Sequence, residues 1–405
     1  MVARKGYKLT EVGEVPEDWK LTSYGELFEF MRTASYSRAD TNDQSDTQYI
    51  HYGDIHVKLH GLVTLDHVDL PRVADAKVKN YTLLQDGDVI MADASEDYDG
   101  VGKSIEISTS NDVRAISGLH TYLLRDIGGK LVNGFKAYIH AIDVVKEQLQ
   151  TKATGLKVYG ISKTQLSTIQ IPLPPTRTEQ CAIATALGDA DAWVRSLEAL
   201  IEKKQRVKEG VMTELLRPRA GWTTLPLGNV CHIKTGTRNN QDKVENGRYP
   251  FFVRSQKIER IDDYSYDEEA ILIPGEGNIG DIFHYINGKF EVHQRVYKIS
   301  DFSPVVLGRY VFYQMMQNFG DIALQNSVKA TVDSLRLPTF QEFPMPVPPE
   351  LGDQGEIVHI LDSLRSELQT LQTKLTKARA LKAAIMRELL TGRIRLVGAE
   401  AQVAV

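Results

Sequence analysis

The chain has 405 residues, 42% hydrophobic and 25% charged, an ordinary globular composition that excludes wholesale disorder and a collagen-like repeat. At ~100–200 residues per domain, that length predicts two or three domains. Lys+Arg 48 against Asp+Glu 53 gives a net charge of −5, so any grip on a polyanion must be local or shared with partners.

In chain order, Trp19 and Gly25 open a first half whose middle predicts short strands at 88–91, 104–107 and 120–124 and a helix at 135–149. Pro172, Pro174 and Pro175 are expected to stop the strand before them and set the entry to a long helix, because proline cannot donate in a ladder or a helix interior. Apolar residues at 187, 190, 194, 197 and 201 keep the 3,4,3,4 spacing of a heptad seam, continued by Val211 and Leu215 and interrupted by Lys204 and Lys208. Residues 217–221 read as a linker. A second half opens at Trp222 and Gly228, with strands expected at 227–233, 270–273, 282–286 and 296–299, a core segment at 249–252 and a helix at 307–318. Pro346, Pro348 and Pro349 precede a second seam with Leu at 361, 364, 368, 371 and 375, continued by Ile385 and Leu389 and interrupted by Ala378 and Lys382. Gly392 is the expected helix stop, and 397–405 reads as a frayed tail.

These halves are copies. An offset of 174 carries Pro172, Pro174 and Pro175 onto Pro346, Pro348 and Pro349, Gln180 and Ile183 onto Gln354 and Ile357, and Glu214-Leu215-Leu216 onto Glu388-Leu389-Leu390. The openings, Trp19…Gly25 and Trp222…Gly228, match at an offset of 203. The ends of each copy are therefore alike and the middles differ, as expected of one scaffold holding two unlike α/β modules. Two heptad helices of about forty residues, roughly 60 Å long at ~1.5 Å per residue, are expected to pack on each other.

Catalytic signatures are missing. Gly275-Glu276-Gly277-Asn278-Ile279-Gly280 matches G-x-G-x-x-G, but a strand is expected after it, so no helix N-terminus follows to hold a pyrophosphate; a strand–strand turn is the simpler reading. Gly102-Lys103-Ser104 lacks the earlier glycine of a P-loop, with Asp97 in its place. His51, His56, His60 and His67 fit no metal spacing and read as loop or groove histidines. Asp97 with Asp99 and Asp262 with Asp263 read as turn aspartates. The two cysteines, Cys181 and Cys231, allow no disulfide framework, and with no secretory signal and no run of ~18 apolar residues a cytoplasmic location is expected. Such a chain recognises something, and a two-headed reader suits two half-sites on a DNA duplex, with the helix pair fixing their spacing.

The Pro-x-Pro-Pro…Gln-x-x-Ile…Glu-Leu-Leu pattern of both copies, the Trp…Gly openings and the stretch 270–280 resemble specificity subunits of type I restriction–modification systems, over nearly the whole chain. The resemblance implies two target recognition domains, 1–175 and 218–349, each reading half of a bipartite site on double-stranded DNA. They would be joined by two long antiparallel coiled-coil helices, 176–217 and 350–395, leaving 396–405 as tail. It implies no catalysis and no cofactor bound by this chain. S-adenosylmethionine would belong to two modification (methyltransferase) subunits, and ATP and Mg to partner subunits; whether restriction subunits join is left open. Residues 181–200 and 356–375 are the expected docking stretches.

Candidate DNA contacts are cations and amides, because Arg and Asn read base edges while Lys holds phosphate. In the first module these are Lys58, His60, Arg72, Lys77, Lys79, Lys103 and Arg114. In the second they are Lys234, Thr235, Arg238, Asn239, Asn240, Lys243, Arg248, Arg254, Lys257 and Arg260, with the polar Gly loop 235–240 favoured. The competing expectation is a coiled-coil adaptor whose end modules bind proteins, which would show no salt-dependent DNA titration. A self-contained methyltransferase would need an S-adenosylmethionine motif that the sequence lacks.

Overall fold

The computed structural model describes residues 3–396 apart from 43, 111–112, 278 and 326–333. Two units divide the chain: the first runs to Leu197 and resumes at Lys374, and the second runs from Glu198 to Thr373.

In the first unit, strands β1 (Phe28–Met31), β2 (Gly61–Thr64), β3 (Val89–Ala92), β4 (Ser104–Ser108) and β5 (Thr121–Asp126) form a sheet of order β1-β5-β3-β4-β2. Its ladders are antiparallel except β4 with β2. Helix α1 (Asp143–Lys152) shares an apolar core with it through Val145 and Leu149, and helix α2 (Arg177–Leu216) begins after the first Pro cluster. In the second unit, β6 (His232–Thr235), β7 (Tyr249–Phe252), β8 (Glu259–Ile261), β9 (Tyr266–Pro274), β10 (His284–Val292) and β11 (Val296–Ser300) form a sheet of order β6-β11-β9-β10-β7-β8. Helices α3 (Gly308–Gln325) and α4 (Leu351–Leu390) follow. Apart from the extra edge strand β8, strand order, chain order and the single parallel pairing, β7 with β10, repeat those of the first sheet.

The landmarks that betray the duplication pair with each other. Lys20–Ser23 runs antiparallel to Gln170–Leu173, and Thr223–Pro226 to Pro344–Val347. Pro172 and Pro346 thus lie inside strands rather than stopping them, which corrects the expectation. Each ribbon has only two strands, so a proline without an N–H can face away from the ladder, and Pro174-Pro175 and Pro348-Pro349 make the break.

Each unit builds a core around its helix ends. Ile183, Leu187, Leu389 and Leu390 join one cluster, and Asp191 of α2 holds Lys382 of α4, so the helices run antiparallel there. In the second unit Met212 and Leu216 join Ile357 and Leu361, and Lys204 pairs with Glu367 at 2.8 Å, again antiparallel. Full burial of each such aliphatic side chain contributes ~1.5–3 kcal/mol. Three of the four expected interruptions of the seam are not openings: Ala378 is 1% exposed and continues it, and Lys204 and Lys382 reach acids on the facing helix. Gly392 ends α4 at φ +66, where a Cβ would also stand 2.5 Å from Pro16, so both backbone and space require glycine.

Three further expectations change. Residues 135–149 are not one helix: a tight 3₁₀ turn, Lys136–Ala141, precedes α1, because buried Glu106 draws in the N–H groups of Gly134 (2.8 Å) and Ala137 (2.9 Å) and Ile142 turns extended. The expected strand 227–233 is a 3₁₀ turn, Leu227–Asn229, followed by β6, since Leu227 donates to Phe343 O and Gly228 sits against Gln341. Strand β10 begins at His284, two residues later than expected, after the Gly turn. The 397–405 stretch and Asn278 lie outside the described residues.

Candidate nucleic-acid interface

In the second unit, three turns meet the loop that follows β6. Gly236 makes this possible: a Cβ there would lie 2.0 Å from Val292 O, so only glycine lets the loop cross the end of β10. Beyond it, Arg238 N–H donates to Val292 O, and Gln294 N–H donates to Arg238 O at 2.8 Å. Asn239 then caps a 3₁₀ turn, Asn240–Asp242, its N–H donating to Asp242 at 2.8 Å. These turns enclose a cleft of about 680 Å³ lined by Asn240, Val253, Arg254, Ser255, Gln256, Glu259, Glu276, Gly277, Asp281, Ile282 and His293.

Two carboxylates organise the charge around this cleft. Glu276 pairs with Arg254 at 3.3 Å and with Arg295, and Glu259 pairs with Lys243 (3.4 Å) and Lys257 (3.3 Å). The hydrogen bond from Lys257, with the charge of Lys243, holds the Glu259 carboxyl below its ordinary range. Burial first, then the charges of Arg254 and Arg295, push the His293 imidazole down, and its Nδ1 accepts the Arg295 N–H at 3.0 Å. Four cations face these two acids and Asp281 of the lining, leaving a small positive excess that phosphate can claim. Exposed ion pairs contribute only ~0–1 kcal/mol, so the exchange of carboxylate for phosphate costs little.

The sequence candidates divide accordingly. Asn240 and Arg254 line the cleft, Lys243 and Lys257 join it through Glu259, and Asn239 accepts from Gln294. Arg238 is fastened to fully buried Glu291 (3.4 Å) and to Asp263 (3.1 Å). Arg248 donates to Asp262 O and Arg260 to Gly247 O, which knits their loop together. Lys234 lies over the Tyr266 ring, and Thr235 pairs with Tyr297 in the sheet. Gln256, Glu276, His293, Gln294 and Arg295 were not among the candidates; the polar triplet 293–295 between two apolar strand patterns was the available signal.

The first unit gathers only three of its candidates. Arg72, Lys77 and Arg114 cluster by the three-stranded ribbon that includes Thr47–Ile50, with Lys77 on Asp40 (3.0 Å) and Arg114 on Asp75 (3.3 Å). Lys79 and His60 are exposed, and Lys58 donates to Asp69 O. Lys103 donates to His56 O at 2.9 Å, and burial lowers its pKa. Two of the expected groove histidines, with a third histidine not foreseen, surround Tyr52: ring centroids lie 4.5 Å away for His51, 6.0 Å for His56 and 5.4 Å for His120. His51 caps a short helix, Tyr52–Val57, and His56 bonds Ala94 O at 2.9 Å. Tyr52 and His120 were missed by counting charges. Among the described residues no group of three or more His, Cys, Asp or Glu is placed to hold a metal ion.

The sequence matches the family described as type I restriction modification DNA specificity domain twice, over residues 16–209 and 219–378. The chain belongs to this specificity-domain family. Its two copies of the domain correspond to the two repeated sheets. Among relatives, it is 23% identical over 438 residues to a Methanocaldococcus jannaschii protein that carries the name of the type I restriction enzyme MjaX specificity subunit, covering 97% of both chains. It is 25% identical over 154 residues, 38% of this chain and 33% of the relative, to the type I restriction enzyme EcoDI specificity subunit of Escherichia coli. Its fold resembles the crystal structure of a type I restriction-modification S subunit from M. genitalium, with TM-score 0.66 and 14% identity over 94% of this chain and 97% of the other. The specificity-domain chain thus carries the duplicated α/β fold with long helices that its sequence predicts.

Proposed function

We propose that this protein is the DNA sequence-specificity subunit of a type I restriction–modification complex, and that each recognition domain, 1–175 and 218–349, reads one half of a bipartite site. The observation that carries this reading is the pair of sheets whose five shared strands follow one order while their connecting loops differ: one scaffold presents two unlike surfaces. The helices 176–217 and 350–395 set the spacing between half-sites and dock two methyltransferase subunits. Exposed Trp193 and Leu200 on α2 and Leu381 on α4 support a docking role, since apolar side chains on long helices call for cover. The chain recognises and does not catalyse. S-adenosylmethionine is held by the modification subunits, and ATP with Mg belongs to partner subunits of a cytoplasmic complex, whether or not restriction subunits join it. No described helix is long and apolar enough to cross a membrane.

Single-molecule methylation sequencing of the source strain, with and without the gene, tests this. An N6-methyladenine signal at a split motif with a fixed gap should vanish on deletion. A methylome unchanged by deletion, with the methyltransferase expressed, would reject the reading and favour a protein-binding adaptor.

A further inference from the structure

The register of the two sheets assigns His120 and Gln294 to one and the same position of the repeated fold, and we propose that this position determines specificity, His120 for one half-site and Gln294 for the other. The assignment rests on the half-site reading above. Strand β5 pairs with β1 through Asp126 and Phe28, and β11 pairs with β6 through Ser300 and His232, each pair joining the last residue of one strand to the first of the other. His120 stands six residues before Asp126, and Gln294 six before Ser300. Both are exposed, in the turn that feeds the strand, beside the loop that follows the first strand of the sheet in Gln294's case and beside Tyr52 in His120's.

Each of these exposed side chains makes one hydrogen bond, and its other polar atom has no hydrogen-bond partner among the described residues. His120 Nδ1 meets Asp93 Oδ1 at 3.2 Å, which leaves Nε2 for a ligand. Gln294 Nε2 donates to Asn239 Oδ1, so the Gln294 carbonyl and the Asn239 amide, one acceptor and one donor, have no partner among the described residues. A base edge in the major groove offers that complement. The backbone gives a second argument. His120 holds φ +54, a left-handed conformation that glycine adopts at less cost. A side chain kept in such a conformation, exposed and aimed by an acid, points to a use for the side chain.

The test uses the full complex in cells, with wild type, H120G and Q294A compared by single-molecule methylation sequencing. Glycine suits the left-handed backbone, so H120G removes the imidazole without strain. Melting of each purified variant shows that it folds, with H120N as the replacement if H120G melts early. H120G should relax one position in one half of the motif, raising methylation at sites changed there about tenfold or more, with the gap and the other half unchanged. Q294A should do the same in the opposite half. An unchanged motif, a change in both halves at once, or a uniform loss from a folded variant overturns the assignment. A wild type without a split motif would instead sink the half-site reading on which it rests.

Discussion

Gln354 Oε1 accepts the backbone N–H of Leu307 at 2.9 Å while its Nε2 donates to Val305 O at 2.9 Å. This fully buried side chain ties the first turn of α4 to the entry of α3. Its counterpart Gln180 repeats the acceptor half in the other unit, taking the Val132 N–H at 3.0 Å, while its Nε2 turns back to Pro174 O just before its own helix. The repeated glutamine is a latch between helix and module, which is why it recurs at the same offset as the prolines. Replacing Gln354 by Ala strands a donor and an acceptor, so Q354A should lower stability by about 2 kcal/mol. Urea titration of the two proteins measures this, and equal midpoints would refute the latch.

Gly236 gives a steric prediction. The atoms that a Cβ would strike are Val292 O at 2.0 Å and Val292 C at 2.4 Å, both backbone, which cannot rotate aside. G236A should therefore cost roughly 2–4 kcal/mol and free the 237–243 loop from the end of β10. Amide exchange at Arg238 and Gln294, whose N–H groups hold that junction, should accelerate while the N–H groups of β3 in the other unit stay protected. Wild-type exchange at both would show that the loop does not depend on this crossing.

Much of the frame was legible because it is periodic. Leu361, Leu364, Leu368 and Leu371 announce a heptad helix, and the proline clusters and tryptophans fix the copies at two offsets. The structure adds that the segments carrying those offsets pair as ribbons, a long-range relation that no local pattern encodes. The interface was harder to find because turns have no period. Arg238 drew attention as a cation in a polar loop, yet it is held by Glu291, an acid buried near the end of β10. His120 was placed in a strand, since its left-handed backbone leaves no mark on composition. Counting charges locates cations; it does not reveal which acids already hold them.

Arg395 locks the end of the chain to its beginning within the first unit. It grips Asp18 with two bonds, 2.9 and 2.8 Å, and Glu179 with two more, 2.5 and 2.9 Å. Glu179 is 1% exposed, so R395A leaves a buried carboxylate uncompensated and should cost about 3 kcal/mol. The hydrogen bonds from Arg395 hold the Asp18 carboxyl below its ordinary value of 3.8. A lowered carboxylate contributes stability that is complete above the unfolded value and disappears as pH falls through the lower, folded one. The wild type should consequently lose melting temperature more steeply than D18N as pH drops below about 4. Parallel curves for the two proteins would remove Asp18 from the acid response.

The cleft of the second unit should reveal itself through salt. Arg254 and Arg295 now share Glu276, and if DNA enters, each exchanges that carboxylate for a phosphate and releases a counterion. Each such contact contributes about one unit to the slope of log affinity against log salt, so the R254A/R295A double variant should flatten the slope by about two. E276Q works in the opposite direction: it frees both guanidinium groups and should tighten nonspecific binding severalfold at low salt, with little change at high salt, where ions screen exposed charges. Fluorescence anisotropy with a duplex, between roughly 50 and 200 mM salt, reads both effects. If the two variants keep the wild-type slope and affinity, the phosphate path runs elsewhere on the second unit, and Lys234 beside Tyr266 becomes the next place to look.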